Sequence, residues 1–201
     1  MAHDHEHDHG DHDHDHETHE HDHGPALGYV EWIEGQRAAK DSAFKAAAFS
    51  PIPSADRAAF NGLPYYPPDE AMRFDGLSLA PYAGDAPSAF TIPTSDGQLR
   101  PAHRAGTLSF DAGGATRTLT GYVLDGGDPN SLFVPFLDET SGSETYGAGR
   151  YLDLEPEADG TFVLDFNLAY HPYCVYSPDY SCPLTPAENR LAMRVEAGER
   201  L

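Results

Sequence analysis

Two groups of residues in this 201-residue chain have the types and spacing needed for chemistry. The first is an N-terminal tract in which ten imidazoles, His3, His5, His7, His9, His12, His14, His16, His19, His21 and His23, are interleaved with nine carboxylates. Imidazole suits Zn²⁺, Ni²⁺ and Co²⁺. In an extended tract, alternate residues project to one side at roughly 6.5–7 Å, so several partial coordination shells can form. The tract has no cysteine, which argues against Cu(I) or a closed thiolate zinc centre. Nothing imposes one geometry. The expected cofactor is therefore a divalent transition metal bound with low selectivity, and no organic cofactor is expected. The interleaved acids favour protonated imidazole, so metal and protons compete near neutral pH.

The second group is a polar cassette toward the C-terminus: Glu144, Tyr146 and Arg150 around the glycines of "ETYGAGR", Asp165 and Asn167 in "LDFN", and Glu188 in "PAEN". The guanidinium fork of Arg150 matches a carboxylate or phosphate with two parallel bonds, and Glu144 or Asp165 can serve as general acid or base. A structural use stands beside each role. Arg150 can pair internally with Glu144, Asp165 or Glu188. Asp165 and Asn167 can face water opposite Phe162, Leu164 and Phe166, and Asn167 can organise the loop that follows. The "GAG" precedes a strand, so it is not a dinucleotide fingerprint. Cys174 and Cys182 can be a nucleophile, metal ligands, a disulfide or buried thiols, and His171 and His103 are the histidines outside the tract. Tyr170, Tyr173, Tyr176 and Tyr180 can pack their segment against the body or form a stacking platform for an aromatic ligand.

Residues 1–24 have almost no apolar side chains and are expected to be a disordered tail, with 25–201 forming one β-rich domain. Ile33 and Phe44 are eleven residues apart, three helical turns on one face, within a helix expected over 29–49 and stopped by Ser50, Pro51 and Pro53. "SADRAAF" at 54–60 reads as two short helical turns capped by Ser54. Eight strands are expected, at 72–80, 88–93, 104–110, 116–124, 131–137, 150–155, 161–167 and 191–196. They are separated by turn signals such as Asp96-Gly97 and Gly126-Gly127. Such short connections join antiparallel neighbours. The fold class expected is mainly β: an antiparallel β-barrel or strongly curved β-sandwich of about eight strands, with an N-terminal α-helix. Residues 168–190 break the rhythm with a Pro- and Tyr-rich excursion, the kind of connection that often carries function.

The formal charge is −21, with 33 acids against 12 Lys and Arg, and no basic patch is visible. This composition argues against nucleic acid as a partner and fits a halophilic protein whose self-repulsion is screened in strong salt. No apolar run approaches the ~18 residues of a membrane span, and no signal peptide is apparent. A cytoplasmic location without membrane association is expected, with metal ions and a small polar or anionic ligand as partners. Oligomeric state is not encoded in any legible pattern.

"TSGSETYGAGRYLDLE", "DFNLAY" and "YSCPLTPAENRL", together with "SPIP", "FNGLPYYPPD" and the closing "AGE", resemble the bacterial and archaeal family called domain of unknown function 1684 (DUF1684), over residues 29–201. The resemblance implies one signature around Asp138, Thr140, Ser141, Gly142, Glu144, Thr145, Tyr146, Gly149 and Arg150. It implies a second around Asp165, Asn167, Tyr170, Cys174, Cys182, Glu188 and Asn189. It brings no activity, substrate or cofactor. His171 stands where the pattern has Asn, and the histidine tract lies outside the signature. Three functions follow from the sequence: metal buffering or delivery through the tail, small-molecule binding or hydrolase-like catalysis at the cassette, and an interaction module without catalysis.

Overall fold

A computed structural model describes residues 28–201. One helix, α1 (Tyr29–Ala46), precedes seven strands: β1 (Arg73–Leu77), β2 (Ala89–Pro93), β3 (Leu99–Ala112), β4 (Ala115–Leu124), β5 (Leu132–Phe136), β6 (Arg150–Leu154) and β7 (Phe162–Asp165). Strands β2 to β6 form a five-stranded antiparallel meander in chain order, and β1 pairs with β7 in a second, two-stranded sheet. The protein is mainly β, but the sheets do not close into a barrel. None of the described residues forms a helix long and apolar enough to cross a membrane.

The helix buries Ile33 and Phe44, as their spacing requires, but ends three residues earlier than expected. The Ser50 hydroxyl takes the Phe44 carbonyl, and Arg57 donates to the carbonyls of Ala47, Ile52 and Ser50. The last turn therefore finds side-chain donors instead of continuing. Residues 54–60 remain successive turns, held by bonds such as Ala59 N–H to Asp56 O, and do not form a helix.

The long hairpin of β3 and β4 contains a bulge between Arg104 and Gly106. An extra residue there changes which side chains face each side of the sheet. Ala102 belongs to one apolar layer, whereas Leu108 and Phe110 belong to the other. Consequently β5 is buried on both faces: Leu132, Val134 and Phe136 enter the main core, and Phe133 joins Ile92, Ala102, Tyr122 and Tyr151 on the opposite side. Phe166 is the centre of the main core, with Phe74, Phe110 and Phe136 rings at 6.1, 5.6 and 5.1 Å.

The expected eighth strand at 191–196 does not form. Leu191 N–H and Met193 O bond the backbone of Leu137 and Glu139, but beyond them side chains take over: Asp138 accepts from Val195 N–H, and Arg150 donates to the carbonyls of Val195, Ala197 and Glu199. A carbonyl already bonded in this way has less to offer a neighbouring strand.

The excursion 168–190 covers the second apolar face and spans the open sheet from edge to edge. Tyr170 exchanges both backbone bonds with Tyr151 of β6, and Leu184 N–H donates to Pro93 O of β2 at 2.7 Å. In a flat sheet the four inter-strand gaps would place these edges about 19 Å apart. Yet the Tyr151 hydroxyl reaches Pro183 O, and Pro183 itself pairs with Thr94 beside β2. The sheet must therefore curl toward its own edges, and the excursion occupies the remaining gap.

Candidate functional site

The six cassette residues do not gather around one cavity. Arg150, 1% exposed, directs its guanidinium to three carbonyls of the C-terminal segment and lies 3.6 Å from Asp138. The expected anion anchor is therefore an internal fastener, and its partner is not one of the three carboxylates expected from sequence. Gly149, just before it, lies close against β5: its φ is +103°, and a Cβ there would meet Phe136 O at 2.5 Å.

Glu144 is partly exposed, bonded by Arg194 and by the Tyr66 hydroxyl, and these two donors hold its carboxyl below the ordinary range. Glu188 takes bonds from Arg104 at 2.7 Å and Tyr122 at 2.5 Å. Partial burial alone would raise its pKa, but these donors outweigh burial and lower it. Asp165 and Asn167 are both buried. Strand β7 ends at Asp165 and a 3₁₀ turn follows, so the two side chains meet each other instead of continuing a strand alternation. Asp165 accepts from Tyr29 of α1. Asn167 bonds the Tyr29 hydroxyl and both backbone groups of Asp69. The pair is bonded to the helix and to the 65–70 segment. Tyr146 is half-buried, its backbone N–H bonded to His171 Nε2 at 3.2 Å.

Two residues outside the expected cassette do comparable work. Asn189 is fully buried, and its side chain accepts from Thr120 N–H and donates to Thr120 O and Pro135 O, each at 2.8 Å. It acts as an inserted peptide group where β4 and β5 share only the pair Tyr122–Phe133. Glu199, 1% exposed, accepts from Lys40 at 2.5 Å, His171 N–H at 2.7 Å and Tyr176 at 2.8 Å. Its signal in the sequence is the terminal "AGE": Gly198 has φ +74°, and any Cβ there would clash with the Ala169 and Phe166 carbonyls.

The cysteines are free thiols. Cys182 is buried, and burial lifts its thiol to about 11, which leaves it protonated and a poor nucleophile near neutral pH. Burial lowers His171 to about 4. Among the described residues, no cluster of three or more His, Cys, Asp or Glu has the arrangement of a metal site. The ten tail histidines, and the disorder expected of the tail, lie outside the described residues.

A 570 Å³ groove lies between the second apolar face and the excursion. The sheet contributes Arg100, Leu124, Phe133, Tyr151 and Asp153; the excursion contributes Tyr170, Tyr173, Tyr180 and Cys182; α1 contributes Lys40. Neighbouring rings meet nearly at right angles: Tyr151 with Tyr170 at 87° and Tyr173 with Tyr180 at 82°. The helix fixes the outer wall, because the Phe44 ring meets Tyr173 and Tyr176 edge-on at 5.8 and 5.5 Å. The Ser181 hydroxyl donates to Asp96 in the β2–β3 turn, which anchors the far end of the wall. Sequence reasoning had the four tyrosines of the excursion as packing or as a platform, but not the sheet residues opposite them.

These features define a class: an open antiparallel meander, fastened by buried polar side chains and closed over one face by a tyrosine-rich excursion. Residues 58–200 match the family described as protein of unknown function (DUF1684), and the chain belongs to that family. It is also similar to the solution NMR structure of the uncharacterized protein from gene locus rrnAC0354 of Haloarcula marismortui. Identity is 39%, the match covers 85% of this chain and 92% of that one, and the TM-score is 0.62. No curated protein matches.

Proposed function

We propose that the folded body binds a small organic molecule in the groove between its second sheet face and the excursion. The observation that carries this reading is the groove itself: a 570 Å³ concavity with perpendicular aromatic walls, a size and lining typical of small-molecule sites. The cassette is a weaker candidate, because its carboxylates and Arg150 already bond to the protein. The test is a fragment screen on the full chain observed by amide NMR. Hits should perturb Leu124, Phe133, Tyr151 and residues 170–183 together, and Tyr180→Ala should weaken them. Hits that cluster instead around Glu144, Asp165 or Glu188 would return the site to the cassette.

A second reading concerns the tail, and is favoured by its ten histidines within 24 residues. The tail chelates Zn²⁺, Ni²⁺ or Co²⁺ and serves as a metal buffer or donor appended to the binding body. Calorimetric titration of the full chain with Zn²⁺ should show uptake at pH 7.5 that collapses by pH 5.5, as protons displace metal from imidazole. A chain lacking residues 1–24 should lose most of that uptake while keeping its β-rich circular dichroism. Undiminished stoichiometric uptake by the shortened chain would place the metal in the body.

A further inference from the structure

Resting on the groove reading, we infer that the ligand is a flat aromatic molecule bearing a carboxylate or a phosphate, with its anionic group at Arg100 and its ring between the tyrosines. Arg100 is exposed on the rim of the groove, where its guanidinium makes one bond, to Ser181 O at 3.1 Å. Among the described residues no carboxylate lies within ion-pair distance of it. Of the other eleven basic groups, Arg73, Arg104, Arg150, Arg194 and Lys40 pair with acids, and Arg37, Lys45 and Arg57 donate to backbone carbonyls. Of the two basic groups that line the groove, Lys40 is paired with an acid and Arg100 is not, and the planar fork of Arg100 is built for carboxylate or phosphate oxygens.

The neighbouring groups fit the same ligand. Tyr173 and Tyr180 have hydroxyls without a hydrogen-bond partner among the described residues, while those of Tyr151 and Tyr170 already donate to Pro183 O and Asp153. The two hydroxyls are free to donate to an acceptor on a ligand in the groove. Lys40 is committed to Glu199 and lies 4.8 Å from the centre of the Tyr170 ring, so it adds no competing free charge. A cationic ligand would find one carboxylate in the groove, Asp153, and that one already bonds Tyr170. The buried Cys182 thiol stays protonated and does not repel an anion. Perpendicular tyrosine pairs present faces as well as edges, and a ring can stack on a face.

The test uses the full chain and four probes sharing one ring: 2-naphthoate, 2-naphthyl phosphate, 2-naphthamide and 2-naphthyltrimethylammonium, titrated at low ionic strength with groove amides as the readout. At least one of the two anions should bind about tenfold tighter than the amide, as charge-assisted bonding to a guanidinium allows. The ammonium should be weakest. Preference between the first two assigns carboxylate or phosphate. Arg100→Gln, on an exposed strand position, should abolish the preference for the anions, bringing their affinity down to about that of the amide for the same variant. Equal or tighter binding of the amide or ammonium overturns the anion assignment while leaving the groove as a site. Failure of all four probes to shift groove amides overturns the groove reading as well.

Discussion

His171 shows how a residue with catalytic chemistry can be disarmed by where it is placed. It is 2% exposed, its Nε2 accepts the Tyr146 N–H, and its Nδ1 lies 3.7 Å from Glu199. Burial drives its pKa down to about 4; Glu199 opposes the shift, and Arg150 and Lys40 reinforce it. The unfolded chain has the ordinary value of 6.5, so as pH falls it takes up this proton before the folded protein does. The histidine therefore costs no stability above about pH 6.5, and destabilises increasingly as pH falls from there to about 4, by at most about 1.4 kcal/mol per pH unit for one proton. His171→Gln keeps an acceptor near the position of Nε2 for Tyr146 N–H and removes the titratable ring. The wild-type chain should lose more melting temperature than the variant between pH 7 and 4.5, with the two converging on their high-pH difference above pH 7. Tail histidines are present in both proteins and largely cancel. Parallel curves would mean that His171 is not the buried neutral group described here. The type of this residue was plain in the sequence, but its environment was not, because Glu199 and Lys40 reach it from opposite ends of the chain.

At the scale of elements, what could be read and what could not divide along a physical line. Strands β1 to β7 each fall within or across an expected strand, because alternating apolar residues and Gly-bearing turns are local signals. The helix was legible for the same reason: Ile33 and Phe44 repeat at its period. The segment 191–196 has the same local look, and Leu191, Met193 and Val195 do alternate inward. Its backbone pairing with Leu137 and Glu139 stops short of a strand, since Arg150 and Asp138, some 45 to 57 residues away in sequence, take the backbone groups of Val195. Only the fold brings those side chains to it. Barrel closure failed for a related reason. A pattern of short strands does not say what meets the last edge, and here a tyrosine-rich loop fills that place with two backbone bonds to β6 and one from Leu184 to β2. The candidate site was half legible: the excursion stood out by its broken periodicity, whereas Leu124 and Phe133 looked like ordinary strand residues and Arg100 fell between two expected strands, until the sheet curled beneath it.

For the molecule as a whole, the dominant quantity is the excess of 33 acids over 12 bases. It is not spread evenly. Asp153, Glu155, Glu157 and Asp165 line one 280 Å³ cleft beside β6 and β7, with Arg73 the one basic residue among its walls. Asp165 is bonded by Tyr29 and Glu155 by Ser131, but hydroxyl donors do not cancel charge. Folding concentrates these carboxylates, so their mutual repulsion is larger in the folded protein than in the expanded chain. Salt shortens the range of that repulsion, from a Debye length of about 10 Å at 0.1 M to about 3 Å at 1 M. Pairs such as Arg150–Asp138 are shielded from it by burial, so the favourable contacts weaken less than the unfavourable ones. Melting temperature should accordingly rise by at least about 5 °C between 0.1 and 2 M KCl, corresponding to roughly 2 kcal/mol for a domain of this size. KCl is the useful salt, because strongly excluded anions such as sulfate would stabilise almost any fold. Removing residues 1–24 should shrink the rise only in part, since the remaining 24 acids still face 12 bases. A melting temperature that is flat or falling with KCl would mean that the surface charge is already balanced locally and that the acidic composition has no bearing on stability.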